Sequence, residues 1–338
     1  MIKRIIFGLF KGVFIYEIYK NKGEKRMKKI IIGVLFALST FLVGMPIAQA
    51  DYPDKPVTFV VPWPPGDLED VLTRMIAEDF QAEYGVAAAV VNKPGGGGGP
   101  FPGAMEVAAA DADGSMVGSF VIGVPVVGPE LGIEGLTKET FEPLGIFLTY
   151  PFVIATSGDA PYSSMAQLAG YAKTNKVTLG HFGDPLTPTQ VTKAAAKVMG
   201  FEWGSDAAFD MLDCNTLASG DADVINTTIQ LILPCLDDVK VLVSVTNERI
   251  SKVPNTPAIG ELISDLDIFL WNGLFVESGT SQDVKDKIIA VAKKSMLSDR
   301  AQQVAADTGA LIYWMDADAS EAQINKDRET MTTIGGLL

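Results

Sequence analysis

Five consecutive glycines, Gly95 to Gly99, stand between Pro94 and Pro100 in the stretch VVNKPGGGGGPFPG. Glycine loses more backbone freedom on folding than any other residue, so the run is either a flexible loop or a use of bare main chain. It is not a phosphate loop of the Walker type. Gly99-Pro100-Phe101 supplies neither the lysine for phosphate nor the hydroxyl for Mg²⁺ that close that motif. Nor is it the G-x-G-x-x-G of a dinucleotide fold, with an acidic residue about 20 positions on. What glycines offer is unobstructed N–H groups that can bend toward an anion, with a helix N-terminus behind them.

A second stretch, PWPPGDLED (Pro62 to Asp70), sets a tight turn at Pro64-Pro65-Gly66 ahead of a long amphipathic segment. Two helix starts capable of holding an anion would then face one crevice. Trp63 reads either as a flat wall for a small ligand or as ordinary core. Asp67, Glu69 and Asp70 read as first-turn acids and a cap. Turned inward, Asp67 or Glu69 would disfavour polyanions and favour a ligand bearing donors such as hydroxyls.

Catalysis has little to work with. His181 is the only histidine, so a Ser-His-acid triad would depend on it and no multi-histidine metal site can form. It reads as a loop or packing residue, and no catalytic residue, metal or cofactor is expected. Cys214 and Cys235 are the only cysteines. Export permits a disulfide between them, and two unpaired core cysteines are the alternative.

The elements that must position these loops alternate strand and helix patterns. VTFVV (Val57 to Val61) is a short β-branched run. Leu68, Val71, Leu72, Met75, Ile76 and Phe80 then mark one apolar helix face, with Gly85 as the stop. Further strands are expected at 86–91, 115–122, 152–155, 176–179, 222–226, 239–245 and 310–314. Helices are expected at 104–110, 165–174, 189–199, 209–218, 229–238, 281–297, 299–308 and 318–334. Alternation of this kind implies parallel sheets covered by helices, with ligands beyond the carboxyl ends of the strands. The loops 62–70, 92–103, 180–188 and 226–228 all follow strands and form the candidate site.

MKKIIIGVLFALSTFLVGMPIAQA (Met27 to Ala50) has a basic start, an apolar centre and a small-residue Ala48-Gln49-Ala50 site, the pattern of a secretory signal cleaved after Ala50. Its apolar centre is shorter than the ~20 residues of a membrane span. Met27 is the expected start, with 1–26 an extension that no signal requires. The whole chain carries 27 Lys+Arg and 41 Asp+Glu. Positions 1–50 hold 9 basic and 2 acidic residues, which leaves 18 against 39, a net −21, on the 288 that follow. So acidic a protein repels nucleic acid and anionic membranes, and any anion site must win by local geometry. A chain of 288 residues is long enough for two modest domains.

The blocks YPDKPVTFVVPWPPGDLED and VVNKPGGGGGPFPGAMEVAAADADG resemble the periplasmic solute-binding proteins of tripartite tricarboxylate transporters, the Bug family. KVTLGHFGDPLTPTQVTKAAAKVMG, GDADVINTTIQLILPCL and WNGLFVESGTSQDVKDKI continue the resemblance over essentially all of 52–338. The resemblance implies a type II periplasmic binding fold, the Venus flytrap: two α/β domains with a ligand cleft between them. Domain 1 would be 51–150 plus 250–338, and domain 2 would be 151–249. It further implies capture of a small carboxylate, di- or tricarboxylate with a C4 type favoured, partly through bridging waters. A monomeric receptor would deliver it in the periplasm to inner-membrane permease subunits. The alternative is an extracytoplasmic sensor for a two-component system.

The ligand contacts implied are Trp63, Pro65, Gly66 and Asp67, then Gly95, Gly96, Gly97 and Gly98, from the first domain. From the second they are Gly180, His181, Phe182, Thr187, Thr189, Asn226, Thr227 and Thr228. The chain departs from the family pattern in places. Asp67 and Glu69 stand where a second glycine and a hydroxyl residue belong. The glycine loop is two residues longer, Thr227 replaces a common aspartate, and a Tyr-Lys-Gly segment is replaced near Ala207 to Phe209.

Overall fold

The computed structural model describes residues 51–95 and 99–338, so the secretory-signal reading and Gly96, Gly97 and Gly98 lie outside the described residues. The chain runs β1 (Val57–Val61), α1 (Leu68–Tyr84), β2 (Ala88–Asn92), α2 (Phe101–Ala108), β3 (Met116–Val121), β4 (Phe141–Thr149) and β5 (Phe152–Ser157). It continues α3 (Met165–Ala172), β6 (Thr178–His181), α4 (Thr187–Val198), β7 (Ser205–Ala208), α5 (Cys214–Ser219), β8 (Val224–Thr228) and β9 (Val239–Ser244). The last elements are β10 (Trp271–Glu277), α6 (Gln282–Met296), α7 (Asp299–Thr308), β11 (Leu311–Asp316) and α8 (Ala317–Leu337). No helix of the described residues is long and apolar enough to cross a membrane.

A six-stranded sheet has the order β11-β4-β10-β3-β1-β2, and a five-stranded sheet the order β7-β6-β8-β5-β9. Both are mixed, which corrects the expectation of parallel sheets. β10 is antiparallel to β3 and β4, and β5 is antiparallel to β8 and β9. The reason is the path of the chain. Only Tyr150 and Pro151 separate β4 of the first sheet from β5 of the second, so β5 enters its sheet from the rim where β6 and β8 end. β10 returns in the same manner and runs against β3 and β4. The carboxyl ends of β1 to β4 therefore form one rim, and the carboxyl ends of β6, β7 and β8 with the start of β5 form the other. The Tyr150 N–H donates to the Leu270 carbonyl at 2.7 Å and the Ile229 N–H to the Pro151 carbonyl at 2.9 Å, which ties the two rims at the crossing.

α1 forms where the apolar spacing expects it. Leu68, Leu72, Met75, Ile76 and Phe80 are buried, and Gly85 closes the helix at φ 71°. Burial of each such side chain stabilises by roughly 1.5–3 kcal/mol. α2 starts at Phe101, three residues before the expected 104, because Pro102 fits a first helical turn, where no N–H is needed. Over 209–218 only Cys214–Ser219 is helical. Asp213 accepts from the Asn215 and Thr216 N–H groups, while Thr216 Oγ1 accepts from the Asp213 N–H, a capping box that starts the helix late. The helix expected over 229–238 is two 3₁₀ segments, Ile229–Leu231 and Leu233–Asp238. Pro234 removes a donor and crowds the preceding turn. Cys235, just after it, forms a disulfide with Cys214.

Candidate functional site

The two turns of the first rim are fastened to each other by one buried carboxylate. Asp70 Oδ2 accepts from the Gly66 N–H at 2.8 Å and from Arg74 Nε at 3.0 Å. Asp70 Oδ1 accepts from Asn92 Nδ2 at 2.8 Å, and that nitrogen also donates to the Trp63 carbonyl at 3.0 Å. Arg74 Nη2 closes the ring on Asn92 Oδ1 at 2.7 Å. Burial works against the charge on Asp70, but the bonds from Arg74, Gly66 and Asn92 outweigh it and hold its carboxyl below the usual range. Gly66 adopts φ +97°, which a side chain would resist, so the turn requires glycine there. Gly95 and Gly99 lie close together: a methyl built on Gly95 would collide with the Gly99 carbonyl oxygen.

Asp70, not Asp67, is therefore the acid that serves this turn. Asp67 occupies the N-cap position of α1, yet its side chain makes no capping bond and is exposed. Glu69 is 3% exposed and accepts from the Tyr150 hydroxyl at 2.9 Å. That hydroxyl also lies 3.4 Å from Asn272 Oδ1, Asn272 Nδ2 donates to Ser119 Oγ at 2.8 Å, and Thr73 Oγ1 donates to the same oxygen at 2.8 Å. Burial, then the charge of Asp67, pushes Glu69 up to about 8. Partial desolvation at the lip and the neighbouring Asp70 raise Asp67 as well. Trp63 is half-buried, and its indole Nε1 is shut from solvent with no hydrogen-bond partner. Pro65 is exposed on the same turn.

The second rim is built differently. Strand alternation divides β8 between its two faces. Val224 joins the main core with Val191, Ala194 and Ala195 of α4, whereas Ile225 packs with Leu212 in a smaller cluster that Cys214 and Cys235 adjoin. Asn226 thus shares the α4 face, and Thr227 the opposite one. The Thr227 hydroxyl donates to the Leu212 carbonyl at 2.6 Å, so it is a packing residue. Asn226 is fully buried, and neither its Nδ2 nor its Oδ1 has a partner. The Thr187 and Thr189 hydroxyls, in the first turn of α4, are also buried and without partners. Leu186 precedes them as a cap with no side-chain bond to give. Thr228, opposite Phe152 in the ladder, is buried where the following 3₁₀ turn begins.

Other residues of this rim serve the frame. Gly180 is buried, and a methyl there would meet Ala222 and Leu212 at 3.0 Å. His181 Nδ1 accepts from the Gly183 N–H at 3.1 Å, which leaves Nε2 carrying the proton, 3.9 Å from Asp206. Burial first, and then Lys193, lower its pKa, which disfavours the charged ring. His181, Asp184 and Asp206 come together as metal ligands could, but Lys193 bonds both carboxylates and is the cation of that cluster. Phe182 belongs to a row of edge-on rings at the crossing, Tyr150 to Phe152 at 6.2 Å and Phe152 to Phe182 at 6.4 Å.

Across the cleft, a methyl on Gly99 would lie 3.9 Å from Leu186 Cδ2, so the glycine loop and the start of α4 face each other closely. Lys93 is paired with Glu106 at 3.0 Å, Arg74 with Asp70, and Lys193 with its two acids. Among the described residues of the two rims, the donors left for an anion are neutral: hydroxyls, a carboxamide, an indole and main-chain N–H groups. Arg74, Asn92, Tyr150, Asn272 and Ser119 complete the frame and were not singled out from the sequence. The spacing of Asp70 and Arg74 at i and i+4 was the one available signal.

A family model described as "Tripartite tricarboxylate transporter family receptor" matches residues 72–334. The protein of the TAR-I ttuE-ttuC' intergenic region of Agrobacterium vitis is 27% identical over 292 residues, covering 81% of this chain and 80% of its own. Among solved structures, Rpa4515 of R. palustris with adipate is similar at a TM-score of 0.73 and 20% identity, over 85% of this chain and 98% of its own. MatC of Rhodopseudomonas palustris with bound malate is similar at 0.69 and 20%, over 85% and 99%. With its two mixed sheets and paired rims, the chain belongs to the tripartite tricarboxylate transporter receptor family, the solute-binding proteins known as Bug.

Proposed function

We propose that this protein captures a small carboxylate, a di- or tricarboxylate with the C4 type favoured, and delivers it in the periplasm to the permease subunits of a tripartite tricarboxylate transporter. The observation that carries this reading is the set of buried, unpartnered donors at Thr187, Thr189 and Asn226, with the start of α4 facing Gly99 across the cleft. A carboxylate offers acceptors for these donors, and the main-chain turns can supply the rest. Binding at micromolar strength needs about −8 kcal/mol. Charge-assisted bonds contribute roughly 1.5–3 kcal/mol each, so three or four reach that figure before ordering costs. The adipate and malate bound by two structural neighbours support the ligand class.

No bond is made or broken in this role. The chain acts as a monomer after loss of its signal, with lobes 51–150 plus 250–338 and 151–249 closing about the crossing at Tyr150-Pro151. Closure buries the ligand, and the permease reads the closed form. A thermal-shift panel of mono-, di- and tricarboxylates on residues 51–338 tests the reading. A true ligand at a hundred times its Kd stabilises by ~2.7 kcal/mol, a rise of several degrees. Acids that leave the transition unmoved, beside a neutral sugar that raises it, would overturn the assignment.

A further inference from the structure

Glu69 is a buried acid that the frame of the first rim does not use as an anion. It stands second in α1, 3% exposed, where the family pattern has a hydroxyl residue. Its one side-chain donor is the Tyr150 hydroxyl, 2.9 Å from Oε2. The charged groups that act on it are Asp67 and Asp70 of its own helix, both acidic. Arg74, the cation of the same helix, is bonded to Asp70 and Asn92 instead. The groups that reach this network from other elements are neutral: Tyr150 from the crossing, Asn272 from β10 and Ser119 from β3. A carboxylate sealed among acids with no cation of its own is costly, so the group keeps its proton.

Tyr150 carries the effect of that proton to the crossing. Burial first, and Glu69 second, push the Tyr150 hydroxyl well up, so it stays a donor. It also lies 3.4 Å from Asn272 Oδ1, and Asn272 Nδ2 is given to Ser119. With Glu69 neutral, the acid O–H can donate to the Tyr150 oxygen and the Tyr150 proton can turn to Asn272. With Glu69 ionised, the carboxylate claims the Tyr150 proton and Asn272 Oδ1 loses it. The Tyr150 N–H bonds the Leu270 carbonyl just ahead of β10, and its ring meets Phe152, which meets Phe182 of the second rim. Both passages between the sheets, and one ring of the second rim, therefore rest on Tyr150.

Resting on the carboxylate-receptor reading above, we propose that capture is proton-linked: the receptor holds a proton on Glu69 when it binds its anionic ligand, and Tyr150 couples that proton to the crossing about which the lobes close. Glu69 is thus a positioning residue that acts through Tyr150. The sign follows from charge. An anion brought between the rims, and closure that removes water from the crossing, both disfavour a carboxylate at Glu69. Where the free protein has lost the proton, binding takes it up again, and affinity falls as pH rises through the folded value. Two other shifted groups lie below this window, since the pKa of His181 is lowered and Asp327 is raised only to about 6.

Calorimetric titration of residues 51–338 with succinate, malate, glutarate and adipate, each in two buffers of different ionisation enthalpy, counts the protons. With Glu69 titrating at about 8, uptake rises from below about 0.1 proton at about pH 7 to about 0.7 at about pH 8.5, while affinity falls ~4-fold. Glu69→Gln, which offers the Tyr150 hydroxyl both an oxygen and a donor, binds with no uptake and no such fall. Tyr150→Phe loses the uptake too, and an uptake that persists there overturns the coupling through Tyr150. Infrared difference spectra of the parent against Glu69→Gln, ligand-free at about pH 7, carry the carbonyl stretch of a protonated carboxyl. Equal proton counts in the parent and Glu69→Gln overturn the linkage and leave the carboxylate receptor standing. Silence from all four acids removes the receptor reading and the linkage with it, whereas an absent infrared band removes the proton from Glu69 whatever binds.

Discussion

At the first rim the polar groups of the turns, the Trp63 indole apart, are matched to one another, while at the second Thr187, Thr189 and Asn226 are buried with nothing to bond. Asp70, Arg74 and Asn92 close a ring around the Gly66 and Trp63 main chain, and Glu69 joins Tyr150 and Asn272. Thr187, Thr189 and Asn226 have comparable burial and no such ring. Frames that must not move spend their hydrogen bonds internally, and surfaces that must recognise something keep theirs free, at a stability cost. Under the proposed function the contrast divides the labour of the cleft: one rim holds two main-chain turns in register, and the other supplies the side chains proposed to gain on binding.

The sharpest break in that contrast comes from Asp70→Ala. It takes the acceptor from the Gly66 N–H and from the half-buried Asn92 amide and leaves Arg74 without its carboxylate. Urea unfolding should register a loss of about 1–2 kcal/mol, since solvent reaches Arg74, and binding should weaken with it, because both turns lose their common anchor. A variant of native stability and affinity would mean that Asp70 holds nothing.

Asn226→Ala should behave in the opposite sense. Removing a carboxamide that has no partner changes the stability of the free protein by less than about 1 kcal/mol. Affinity for the acid that best shifts the melting curve should fall ~10- to 100-fold, which corresponds to one charge-assisted bond. If Asn226→Ala unfolded the free protein as readily as Asp70→Ala, the amide would already be bonded in solution and the two rims would not differ.

How far the sequence anticipates these roles depends on the range of the interaction. α1 is legible because its apolar spacing and its closing Gly85 are local. The segments that follow β6 and end β8, where α4 begins and Asn226 lies, are legible as well, since alternation of strand and helix places them. Strand parity would have assigned Thr227 to the face of Ile225, away from Asn226, had β8 been read that way. The partners of Asp70 and Glu69 are another matter: Asn92 lies 22 residues from Asp70, and Tyr150 lies 81 from Glu69. Nothing in a local pattern couples such positions, and β4, which delivers Tyr150, was missed along with β10, which delivers Asn272. Both strands carry the chain between the two sheets, and the antiparallel sense of β10 against β3 and β4 follows from that path.

The gentlest probe of the first rim is pH. Glu69 is pushed up to about 8 in the folded protein from an ordinary 4.5, by burial first and by Asp67 second. A raised acid contributes its full stability below the unfolded value, and that contribution is lost as pH rises toward the folded value. Between roughly pH 5 and pH 8 this one site lowers stability by up to about 1.4 kcal/mol per pH unit, because only the unfolded chain ionises there. Asp327, buried under the Trp271 indole and raised to about 6, adds to the lower part of the same window. Glu69→Gln keeps an oxygen for Tyr150 and removes the titration. Its melting temperature should match that of the parent near pH 5 and exceed it by several degrees at pH 8, with the ligand absent from both. Parallel melting curves for the two proteins from pH 5 to 8 would show that Glu69 is ionised in the folded state, and that the first rim holds its charges no more tightly than the second.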